Sequence, residues 1–62
     1  MTPEHAVEYL ETLSRRHGLG GLSEKDRAAT VAMLWEHPDI IHRFIRESEA
    51  RIEQVSQNKE VV

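Results

Sequence analysis

Four histidines, His5, His17, His37 and His42, stand in a chain of 62 residues. Imidazole is the commonest side-chain metal ligand and the one that titrates near neutrality. A zinc-type site needs three or four ligands at one point, which on a helix means pairs three or four residues apart. No two of these histidines have that spacing, and there is no cysteine to assist them. Asp39 and His42 are three apart and share a helix face, but two ligands do not make a zinc site. No metal and no cofactor are therefore expected, and His5, His17 and His37 read as residues of helix ends and turns.

Nucleophilic and acid–base chemistry fare no better. Ser14, Ser23, Ser48 and Ser56 lie in no nucleophile-elbow pattern, and Ser23 is better placed as a helix cap. Glu8, Glu11, Glu47 and Glu49 fall on faces expected to be solvated, where acids serve solubility. General acid–base work wants a desolvated pocket, for which three short helices leave little room. The expectation is a non-enzymatic protein with no small-molecule substrate.

The glycine-rich stretch HGLGGLS, residues 17–23, offers a third possibility, a phosphate cradle. Such a loop follows a strand and is completed by lysine and a serine or threonine, and neither feature is present. The same residues make good sense between two helices. Arg15, Arg16 and His17 put cations at the negative end of a helix dipole. Gly18 then sits where a left-handed residue ends a helix, with Leu19 placed to fold back onto Leu13. Gly20 and Gly21 let the chain reverse, and Ser23 caps the next helix with Asp26 three positions on.

Three helices emerge around this turn. Thr2-Pro3-Glu4 is a helix start, and Ala6, Val7, Leu10, Leu13 and His17 form one face of helix 1, residues 3–17, with Glu8, Glu11 and Arg15 opposite. Helix 2, residues 24–36, carries Ala28, Ala29, Val31, Ala32, Met33, Leu34 and Trp35 around most of its circumference, which marks it as the central helix, flanked on more than one side. His37-Pro38 ends it, because proline disfavours helical geometry in the residue before it. Helix 3, residues 38–58, meets no breaker and is about 30 Å long, so roughly two turns are expected to project beyond a hairpin of about 20 Å. Residues 59–62 are expected to fray.

Ile41, Ile45, Ser48, Ile52 and Val55 repeat every 3.5 residues along helix 3, a rhythm that Lys59 and Val62 prolong, with Phe44 on the same face. A narrow apolar seam with charged shoulders is what a helix presents to another helix. The fold expected is all-α, a small three-helix protein built as a helical hairpin plus a longer C-terminal helix, forming a helical, coiled-coil-like dimer. The function expected is protein–protein interaction, as an adaptor, inhibitor or regulatory protein acting on a protein partner, itself or both. Met33, Leu34, Trp35, Ile41, Phe44, Ile45, Ser48, Ile52 and Val55 are the candidate contact residues.

The alternative reading is a DNA-binding transcriptional regulator of helix-turn-helix type, suggested by two helices joined by a short turn and then a third, and charge argues against it. Eleven acids outnumber eight bases for a net charge of −3, which repels phosphate rather than attracting it. Arg43, Arg46 and Arg51 are interleaved with Glu47, Glu49 and Glu53, and the first turn of helix 3, Pro38-Asp39-Ile40-Ile41, is acidic and apolar. No apolar run approaches the ~20 residues that span a bilayer, and no signal peptide opens the chain. Zero cysteines fit a reducing compartment, so a cytoplasmic location is expected.

Overall fold

A computed structural model describes the backbone of residues 1–60 and the side chains of residues 1–57. The elements are α1 (Pro3–Arg16), α2 (Glu24–Glu36), a 3₁₀ turn (Pro38–Ile40) and α3 (Ile41–Glu60). The described residues are all helix and connections, with no strand. Helix 3 thus opens with a 3₁₀ turn, its regular part starts at Ile41, and its backbone is helical through Glu60. Val61 and Val62, the end of the expected frayed tail, lie outside the described residues, as do the side chains of Lys59 and Glu60.

The local chemistry sets these boundaries. Thr2 caps α1 by accepting from the His5 N–H at 3.3 Å, with Pro3 in the first turn. At the other end Gly18 adopts φ 75°. Its N–H donates to the Arg15 carbonyl at 3.0 Å and the Leu19 N–H to the Ser14 carbonyl at 2.9 Å, the paired bonds of a Schellman motif. Ser23 caps α2 by accepting from the Asp26 N–H at 3.2 Å.

The loop glycines have different reasons for being glycine. A Cβ on Gly20 would meet nothing within 4 Å, whereas one on Gly21 would lie 2.9 Å from Glu11 Oε2 and 3.5 Å from Arg15 Nη2. Neither has positive φ. Gly20→Ala is therefore expected to raise stability by about 0.4–1 kcal/mol through the unfolded chain, and Gly21→Ala to lower it. Thermal unfolding of the two variants side by side checks this, and equal shifts would refute it.

α1 packs against both other helices, while α2 and α3 make few direct contacts. Trp35 bonds to Glu4 and Arg27 pairs with Glu11, so α2 runs antiparallel to α1. Tyr9 bonds to Glu49 and His17 to Ser56, so α3 runs parallel to it. Ala6, Val7, Leu34 and Ile41 form the buried centre, with Val31, Met33, Ile40, Phe44 and Ile45 packed partly buried around it. Leu10 is buried as well.

Two expectations are corrected here. The central helix is α1, not α2. Three of the seven apolar residues of α2 are alanines, which bring little area to a core, whereas α1 offers larger side chains in two directions. Ala6, Tyr9, Leu13 and His17 follow helical spacing on the side of α3, and Glu4, Val7 and Glu11 on the side of α2. The projecting end of α3 is also shorter than expected. The parallel register, about forty residues apart in sequence, keeps α3 beside α1 as far as Ser56, leaving residues 57–60, about one turn, beyond it. The Ile-Val seam therefore lies alongside the hairpin rather than past its end.

Candidate functional site

Because α2 and α3 both pack on α1 but make few contacts with each other, a cleft opens between them with α1 as its floor. Its volume is about 340 Å³. Val7, Leu10 and Ser14 form the floor, Gly20, Gly21 and Leu22 of the turn close one end, and Phe44, Ser48, Arg51 and Ile52 form the α3 wall. The lining is mostly apolar, with Glu11, Thr30 and Arg51 among the residues that border it. Ser14 Oγ donates to the Gly20 carbonyl at 2.9 Å and holds the turn against α1.

The candidate contact residues are divided among three environments. Leu34 and Ile41 are buried in the core, 0% and 6% exposed, and present nothing to a partner. Met33, Phe44 and Ile45 are half-buried against that core. Ser48 and Ile52 line the cleft, while Val55 and Trp35 remain exposed, at 44% and 56%. Trp35 is held on the surface by its indole N–H, which donates to Glu4 Oε1 at 2.6 Å. It is an ordered apolar side chain in water.

Glu11 overturns an expectation. Placed on a solvated face by helical periodicity, it is instead 4% exposed. α2 docks over it, and Arg27 of α2 reaches Glu11 Oε1 while Arg15 stands 3.9 Å from Oε2. Neither carboxylate oxygen receives a hydrogen bond of good geometry, so the Arg27 ion pair is what compensates this charge. A signal for the pairing exists in the sequence. In an antiparallel hairpin turning near residue 19, positions 11 and 27 are equidistant from the turn and face each other, and they carry opposite charges.

Glu49, also expected on a solvated face, is half-buried and accepts the Tyr9 hydroxyl hydrogen bond. That bond, first, and the negative charge of Glu49 hold the Tyr9 phenol above its ordinary value of 10.0, with Arg16 opposing. The neutral phenol is thus favoured in the folded chain. The stability it contributes is complete below pH 10 and is lost as pH rises through the raised value. Tyr9 is the sole tyrosine, so absorbance at 295 nm reads it directly. A midpoint above 10 is expected, falling toward 10 in Glu49→Gln, and a wild-type midpoint at or below 10 would refute the contact.

Among the described residues, no three His, Asp or Glu side chains converge on one point, and no helix is long and apolar enough to cross a membrane. Comparison of the chain with protein-family models, curated proteins and solved structures gives no significant match. The site must therefore be read from its own geometry.

Proposed function

We propose that this protein is a small non-enzymatic interaction module, an adaptor, inhibitor or regulatory protein that binds another protein, itself or both through the apolar surface left open by α2 and α3. The observation that carries this reading is the cleft, with Leu10, Leu22, Phe44 and Ile52 around an open space; the exposed indole of Trp35 is a separate apolar feature, away from the cleft at the other end of α2. Aromatic residues in partly desolvated positions dominate the energetics of protein interfaces. The charge of Glu11 serves packing, since it is engaged by Arg27. Apolar lining with few polar groups suits an apolar face of a partner helix, recognised at helical spacing.

Two surface variants test this. Both variants should retain the helical circular dichroism of the parent; Ile52→Glu, in the cleft, should lose retention of a partner from the native host, and Trp35→Glu, on α2, should lose self-association measured by sedimentation. Binding that survives both substitutions would refute the reading.

A further inference from the structure

The outer face of α2 carries Lys25, Ala28, Ala29, Ala32, Trp35 and Glu36, all exposed, with Trp35 at its edge, where the indole N–H reaches Glu4 of α1. Helical spacing gathers these six opposite Arg27, Val31 and Leu34, which face inward. Between the two charges the face holds only three alanines and an indole. Alanines allow a second helix to approach closely, and Lys25 and Glu36 lie at opposite ends.

We propose that this face binds a second copy of the chain, with the two α2 helices antiparallel across a twofold axis near Thr30 and Val31. The inference rests on the reading of the chain as an interaction module and names its partner. Antiparallel pairing brings Lys25 of each copy to Glu36 of the other, twice by symmetry. Ala29 then meets Ala32 of the second copy at the centre, and each Trp35 covers the stem of the second copy's Lys25. Parallel pairing would set Lys25 against Lys25 and Glu36 against Glu36, so charge complementarity selects one orientation.

The decisive experiment is charge exchange, read by sedimentation equilibrium across micromolar to millimolar concentration and by emission of the sole tryptophan. The wild type should dimerise with a blue shift of Trp35. Lys25→Glu and Glu36→Lys should each weaken the dimer about tenfold by replacing two attractions with two repulsions, and the double exchange should restore affinity to within about threefold. Both single changes suit the dipole of an isolated α2, an acid at its start and a base at its end, so unfolding does not account for a weakened dimer. Circular dichroism checks this. Ala32→Glu should abolish association while leaving the monomer folded, since that position faces solvent.

A dimer indifferent to charge exchange, or not rescued by the double change, overturns antiparallel α2 pairing and leaves the interaction reading standing. A chain monomeric at 1 mM with unshifted Trp35 emission overturns the proposal. The interaction reading fails separately, when Ile52→Glu and Trp35→Glu bind as the parent does.

Discussion

Replacing Arg27 by methionine should destabilise the fold by about 2–3 kcal/mol, although Arg27 itself is half exposed. The cost arises at Glu11. Its carboxylate is 4% exposed, receives no well-formed hydrogen bond, and would keep only Arg15 at 3.9 Å. Removing one partner of a buried pair commonly costs 3–5 kcal/mol, and the lower figure reflects the water that reaches the open side of this pair. The reverse change should be mild. Glu11→Met removes the buried charge, returns Arg27 to solvent and adds an unbranched apolar side chain to the α1–α2 contact, so a change within about 1 kcal/mol is expected. The double variant should recover most of the loss, and this asymmetry is the signature of a buried acid with an exposed base. Urea unfolding at one fixed protein concentration measures all three, and equal losses for the two single variants would refute the account.

Leu34→Ala should cost about 3 kcal/mol. Leu34 is the largest fully buried side chain, at 0% exposure, and it joins Ala6 and Val7 of α1 to Ile41 of α3. The remaining core has few large residues to collapse into the space. A 62-residue chain holds roughly 3–9 kcal/mol in total, so this one truncation should remove a large share of the helical signal at 37 °C. Val55→Ala, at an exposed position on the same seam as Ile41, should change stability by less than about 0.5 kcal/mol. Similar unfolding temperatures for the two variants would contradict the burial described here.

The contrast between Leu34 and Trp35 shows where sequence reasoning stops. Both lie in the apolar run of α2, and nothing in composition separates them. One is the centre of the core and the other is 56% exposed, because that choice depends on which side of α2 meets α1. The same holds for Ile41 and Val55 on one 3.5-residue seam. Their repeat marks a contacting face, but how far the neighbouring helix extends along it is set by the register with α1.

Local chemistry was legible in the sequence because its causes are local. The Thr2 and Ser23 caps, the left-handed Gly18 with its Schellman bonds, and the break at His37-Pro38 each follow from residues within five positions of one another. The sequence by itself thus determined three helices, their punctuation and the hairpin turn. Only the tertiary structure decided that α1 lies between the other two, that Glu11 is buried beneath Arg27, and that a cleft opens between α2 and α3. Those outcomes depend on the angles at which whole helices pack. Such angles are set by the summed area of many side chains against the desolvation of a few, a balance that no single stretch of sequence displays.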